Sequence, residues 1–350
     1  MKHVCVALLS LSTSVMGLNI QLDFFHDEAA DKFFSSNPKA ASAVEKAAKD
    51  IGDLLTNSMA RISSDLYSGT YGSTTARFDW SWSYINPVTG AHETISQPSI
   101  DEDTVVIYVG TRKLSGQTLG QGGAGGAGVI ISGAGYSHEW IDAVDLAEAA
   151  SNASMPRGSG PTMGTISGAA NYAGYIGRYE LGYGLSVGNL WFDSDTDNNG
   201  SRDSDATLES FWHYDAYSPV AAGKTDLYSV ALHEILHAIG LGTSETWDNL
   251  INGTEWLGTE ASLAAGTSSL ISSDGHHALS GLMSARISDG VMQEALISPS
   301  ITPGSRKELT ELDLAFLTDI GFSAPESVPE ASTIALLAGA LMMVIPRRKR

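Results

Sequence analysis

The chain of 350 residues has one cysteine, Cys5. A lone thiol cannot close an intramolecular disulfide, so stability must come from a packed core and any metal the chain holds. Basic residues are scarce too, 20 Lys plus Arg against 40 Asp plus Glu. A formal net charge of −20 repels nucleic acid and anionic lipid, and nucleic acid is excluded as a partner. Long apolar runs are missing. Val4 to Val15 and Ile334 to Ile345 both fall short of the roughly 20 residues that a membrane helix needs. No repeat of fixed period is visible, and 37 glycines include no GxxxxGK[ST] phosphate loop.

The short apolar runs sit near the two ends. Lys2, the run Val4 to Val15 and the small-residue finish at Gly17 have the parts of a secretory signal peptide over residues 1–17, so the protein is expected to be exported. At the other end, Val328-Pro329-Glu330-Ala331 precedes the second run and Arg347-Arg348-Lys349-Arg350 follows it. Residues 328–350 resemble a bacterial PEP-CTERM sorting segment, with Pro-Glu-Ala in place of that motif's Pro-Glu-Pro. The resemblance implies transient membrane contact through this segment, processing by an exosortase-type enzyme, and a bacterial cell-envelope, cell-surface or extracellular destination. A plain C-terminal anchor is the alternative. Residues 18–325 remain for the folded domain, enough to bury a sizeable core.

Within that domain, Ala40, Ala43, Val44, Ala47, Ala48, Ile51, Leu54 and Leu55 recur at helical steps after Pro38 and predict an amphipathic helix. The polar-aromatic alternation of Arg77 to Ile85 and the apolar run of Asp103 to Val109 predict strands. Leu309 to Ile320 reads as a core helix ended by Gly321. The Gly-rich stretch from Gly120 to Gly135 reads as a flexible or tightly turning loop. Asp195, Asp197, Asn199 and Gly200 match the first half of a Ca2+ loop, but position twelve is Ala206 and offers no carboxylate. An acidic solvated turn is the preferred reading there, with calcium as the alternative.

The most informative segment is His233-Glu234-Ile235-Leu236-His237-Ala238-Ile239-Gly240-Leu241-Gly242, which spells HExxHxxGxG. Two His at i and i+4 on one helix face can reach one metal ion. Glu234, next to the first His, can take the proton of a water activated there, the role of general base. Asp226 is the expected N-cap, and Gly240 and Gly242 the stop.

Together with His277 to Ser284 (HALSGLMS) and Gln293 to Phe322, the stretch Asp226 to Trp247 resembles exported bacterial metzincin-like, leishmanolysin-type zinc metallopeptidases with PEP-CTERM tails. The resemblance implies an α+β zincin fold. Its upper half would be sheet and helix, the HExxH helix would floor a cleft, and the C-terminal half would be smaller. It also implies Zn2+ held by His233, His237 and a third ligand. Thr243 stands where many metzincins carry that ligand, and the likeness of HALSGLMS points instead to His277, ahead of His276. Glu245, Asp248, Glu260 and His213 are the remaining alternatives. The methionine expected beneath the metal is Ile297 here, with Met283 or Met292 available for its place. The implied activity is hydrolysis of protein or peptide substrates by a zinc-activated water, with Glu234 catalytic. The rival is a non-catalytic cell-envelope surface or adhesion protein on a peptidase scaffold.

Overall fold

The helix expected after Pro38 spans Pro38–Leu54, with proline in its first turn, where the missing N–H breaks no intrahelical bond. Ala40, Ala43, Val44, Ala47, Ala48 and Ile51 are buried along it. The computed structural model describes residues 17–56, 58–63, 67–97 and 99–324. The sorting segment expected at 328–350, and all of the expected leader except Gly17, lie outside the described residues.

A mixed four-stranded sheet organises the architecture, in the order Asn19–Asp23, Thr104–Arg112, Val187–Asp193 and Gly120–Ala124. The first three strands run parallel, and Gly120–Ala124 lies antiparallel at the edge. Val187–Asp193 is buried along its whole length, as befits a strand covered on both faces. Helices Pro38–Leu54 and Leu227–Ala238 pack against each other and against this sheet.

A second, antiparallel sheet is built on Thr74–Ile85, which pairs with Gly126–Ala134 on one side and with Ser68–Tyr71 and His92–Ser96 on the other. Burial alternates strictly along Thr74–Ile85 and turns Phe78, Trp80 and Trp82 inward. Helix Trp140–Asn152 and the hairpin Thr162–Tyr172/Tyr175–Gly184 cover that aromatic face. Arg157 is buried where this layer meets the first sheet. It donates to the carbonyls of Ala60, Asp101, Thr104 and Leu185 at 2.7–2.9 Å.

Beyond the HExxH helix lies a smaller part of short helices, the hairpin Met283–Ala285/Met292–Glu294 and helix Glu311–Asp319. Trp247, Trp256 and Phe316 form its aromatic centre, with ring centroids 4.6–5.4 Å apart. The last helix starts at a full capping box between Thr310 and Asp313. The architecture is therefore mixed α+β. Among the described residues no helix is long and apolar enough to cross a membrane.

One expectation is corrected. The Gly-rich stretch is not a loop but two strands, Gly120–Ala124 and Gly126–Ala134. Glycine serves close approach there: a Cβ on Gly122 would lie 1.9 Å from the carbonyl oxygen of Glu234. Gly125, where the chain leaves one sheet for the other, has no room for a side chain between Val187 and Ser83.

Candidate metal centre

The HExxH helix, Leu227–Ala238, is buried on all sides except at His233. Asp226 caps it by accepting from the Ser229 N–H at 3.2 Å and the Ser229 hydroxyl at 2.6 Å. The guanidinium of Arg306 grips the same carboxylate at 2.8 and 2.9 Å, so the cap is also an ion pair to a distant loop. At the other end Gly240 takes a φ of +121°, and Gly242 one of +74°. Gly242 has a second duty. A Cβ there would lie 2.4 Å from the carbonyl oxygen of His276, so the small residue lets the distant His276-His277 segment settle against the helix end.

Three imidazoles meet at that point. His237 Nε2 lies 3.2 Å from His233 Nε2 and 3.2 Å from His277 Nε2. Each ring is held by its other nitrogen. His233 Nδ1 reaches the carbonyl of Leu296 at 2.8 Å, His237 Nδ1 the carbonyl of Leu241 at 2.7 Å, and His277 Nδ1 the carboxylate of Asp274 at 2.8 Å. A carbonyl oxygen only accepts, so Nδ1 carries the proton in His233 and His237 and Nε2 is left as a bare lone pair.

Burial keeps the two rings of the motif neutral. It drives the pKa of His233 down to about 4 and that of His237 well below the usual value. Lone pairs 3.2 Å apart with no proton between them repel, and a cation at their focus removes the repulsion. Tetrahedral zinc with bonds of about 2.0–2.1 Å separates its ligand atoms by about 3.3 Å, close to the spacing present. The three side chains thus fit a small divalent metal, and the bond from Asp274 to His277 is the kind of outer contact that fixes a ligand's tautomer.

Glu234 projects from the same helix into a buried position. Burial pushes its pKa up to about 8, against the opposing effect of the Gly122 N–H. A Cβ on Gly120 would sit 3.0 Å from its Cγ and 3.2 Å from Oε1, so the edge strand is pressed directly against this carboxyl. A carboxyl poised near neutral pH suits proton exchange with a reacting water.

The structure brings His233, His237 and His277 together, with Glu234 next to His233 on the same helix, and leaves the alternatives apart. His276 Nδ1 bonds the carbonyl of Gly242 at 2.7 Å, His213 Nε2 the carbonyl of Asp215 at 2.9 Å, and Glu245 meets Thr165 at 3.4 Å. Asp248 is exposed, Glu260 is at the exposed start of helix Thr259–Ala265, and Thr243 donates to the carbonyl of His237. Met283 and Met292 stand exposed on their hairpin, and Ile297 is buried with Ala295, Leu296 and Ser298 in the turn whose Leu296 carbonyl meets His233.

Besides Asp274 behind His277, two acidic features escaped sequence reading. Asp313 is wholly buried and accepts from the N–H groups of Leu296, Ile297 and Thr310 at 2.8–3.0 Å and from the Thr310 hydroxyl at 2.7 Å. It therefore fixes the turn whose Leu296 carbonyl orients His233. Its only signal in the sequence was the spacing Thr310-x-x-Asp313 of a capping box. The second is Asp203, which joins Asp195 and Asp197 in one carboxylate group with ligand atoms within 4.8 Å. The solvated turn expected there is corrected: Asp195 and Asp203 are buried, satisfied by the N–H groups of Asn199, Gly200 and Thr196. Ala206 lies in the following helix, Asp205–Phe211.

No protein-family model, curated protein or solved structure matches this chain.

Proposed function

We propose that the protein is an exported zinc endopeptidase on a metzincin-like scaffold. The observation that carries the proposal is the convergence of three imidazoles, each tethered through Nδ1, on one point of the helix that also carries the buried carboxyl of Glu234. When bound by the Nε2 atoms of His233, His237 and His277, zinc supplies a Lewis acid that polarises a carbonyl and acidifies water.

The chain's own groups do the rest. Gly120–Ala124 pairs with one strand only among the described residues, so its outer edge, apart from the Gly122 N–H directed to Glu234, offers N–H and C=O groups to an extended peptide. Because Gly120 and Gly122 touch Glu234, a peptide seated on that edge lies beside the carboxyl. Glu234 then accepts the proton of the attacking water and returns it to the leaving amine. The rival reading, a binding scaffold without chemistry, gives no use for a carboxyl whose burial is costly.

Export and removal of the tail after Glu330 belong to the same proposal, and mass spectrometry of the mature protein would reveal Arg350 retained if the tail is a plain anchor. The activity is tested by digesting casein or gelatin with purified mature protein, before and after chelation and after zinc is restored. Hydrolysis lost with the metal and regained with zinc is expected. Stoichiometric zinc without hydrolysis of any protein substrate would favour the binding scaffold.

A further inference from the structure

The edge strand has a second face that the proposed chemistry does not use. Strand side chains alternate, so Gly120 faces Glu234 while Gln121 projects from the opposite side of the sheet. On that side a row of side chains crosses three strands. The guanidinium of Arg112 lies 3.7 Å over the ring of Trp191, Trp191 Nε1 donates to Gln121 Oε1 at 3.1 Å, and Arg112 Nη2 reaches the same oxygen at 3.4 Å. Trp191 and Gln121 are direct cross-strand partners. The row ends at Gln121, on the strand whose outer edge is open.

A cavity of about 460 Å³ opens beside this row, lined by Arg112, Lys113, Thr118, Gln121 and Asp195 among others. Its two cations are not spent on carboxylates. Arg112 bonds Gln121, and Lys113 Nζ donates to the carbonyl of Gly200 at 2.9 Å. Stacking on Trp191 occupies the face of the guanidinium, and its in-plane N–H groups, of which Nη2 makes the long contact with Gln121, can still form a fork with a carboxylate. Asp195 does not fill that role, because its two oxygens accept the N–H groups of Asn199 and Gly200, both at 2.9 Å. Burial lowers the pKa of Arg112. Arg112 and Lys113 thus stand together in one cavity with their hydrogen bonds directed to a side-chain amide and a carbonyl, which leaves their charge available to an anionic ligand.

We infer that this cavity is a substrate subsite for a carboxylate side chain, so that the protein selects peptides carrying Asp or Glu in the extended stretch beside the scissile bond. The inference rests on the peptidase reading for its chemistry and on the row Arg112, Trp191, Gln121 for its selectivity. A peptide strand added to the open edge puts every second side chain on the face of Gln121, where it continues the row toward Arg112 and Lys113.

The test uses zinc-loaded full-length protein and a set of otherwise identical fluorogenic octapeptides in which one Glu is moved through the positions, each paired with its Gln counterpart. One position should favour Glu by about 10-fold or more in kcat/KM, the size expected of a charge-assisted hydrogen bond, and Arg112→Met should erase the preference. Lys113→Met, an exposed change that the fold tolerates, should reduce it several-fold. Equal cleavage of Glu and Gln peptides at all positions, or a preference that survives both substitutions, overturns the subsite and leaves the peptidase reading intact. If nothing is cleaved, the peptidase reading falls and binding still decides the subsite. Fluorescence anisotropy on Glu234→Gln protein should then show one Glu peptide binding tighter, with the advantage lost in the Arg112→Met double variant, whereas no Glu preference in binding overturns the inference.

Discussion

His233 donates through Nδ1 to the carbonyl oxygen of Leu296 at 2.8 Å, across 63 residues of sequence. The N–H of Ile297, in the same peptide unit as that carbonyl, ends on the carboxylate of Asp313 at 3.0 Å, so one peptide unit couples the first His of the motif to the last helix. The link turns a buried acid far from the motif into part of the metal centre's support.

Asp313→Ala should therefore cost stability and zinc together. It strands the N–H groups of Leu296, Ile297 and Thr310, each worth about 1–3 kcal/mol when left buried without an acceptor. Urea unfolding of the zinc-free protein should show a loss of at least about 3 kcal/mol, and zinc affinity should fall as His233 loses its orientation. An unchanged unfolding midpoint would sever the link between this helix and the centre.

Gly122→Ala should damage activity far more than its size suggests. The new methyl would lie 1.9 Å from the Glu234 carbonyl oxygen, so edge strand and helix must separate and the carboxyl must move from the peptide's track. Displacements of that order cost about 100-fold in rate. Gly182→Ala is the control, since its Cβ would meet only Pro156 at 3.9 Å. Equal kcat/KM for the two variants would show that the close approach has no bearing on the chemistry.

His277→Ala should lose stoichiometric zinc while His276→Ala keeps it, because His276 is turned toward the Gly242 carbonyl. Asp274→Asn should weaken zinc by roughly 10- to 100-fold, the usual cost of removing a contact that orients a ligand. Metal analysis after dialysis distinguishes these, and full zinc retention in His277→Ala would dismiss it as the third ligand.

Asp27 supplies a pH signature remote from the metal. Burial, with Asp31 and Glu28 nearby, raises its pKa above the ordinary 3.8 against the N–H groups of Phe34 and Phe33. The folded state then binds the proton more tightly than the unfolded chain. This contribution is fully present below pH 3.8 and is lost as pH rises through the higher folded value. Asp27→Asn cannot titrate, so its melting temperature relative to the parent should climb as the pH rises from 3.8 through the higher folded value. A constant difference across that range would contradict the assignment.

Local chemistry made much of this legible in the sequence. The helix after Pro38, the alternating strand around Trp80 and the HExxH helix each announce themselves by period and cap, and their buried faces are the ones the spacing implies. His277 was reachable only through a resemblance, since nothing local distinguishes it from His276. The edge strand was misread because six glycines between Gly120 and Gly135 remove the side chains on which a period-two signal depends. Gly122 among them lies against the backbone of a helix more than a hundred residues later, and such a contact has no local signature. Asp313, Asp274 and Asp203 were missed for a related reason: a carboxylate that serves a distant turn or ring looks in sequence like any other surface acid.

The central claim is that Glu234 is the general base of a zinc-dependent hydrolysis at His233, His237 and His277. Glu234→Gln tests it most directly. The carboxamide keeps the volume of the side chain and cannot accept the water's proton, so the variant should bind one equivalent of zinc, melt no lower than the parent and lose hydrolysis by about 10²–10⁴-fold. Near-parental turnover in a zinc-loaded Glu234→Gln protein would contradict the account.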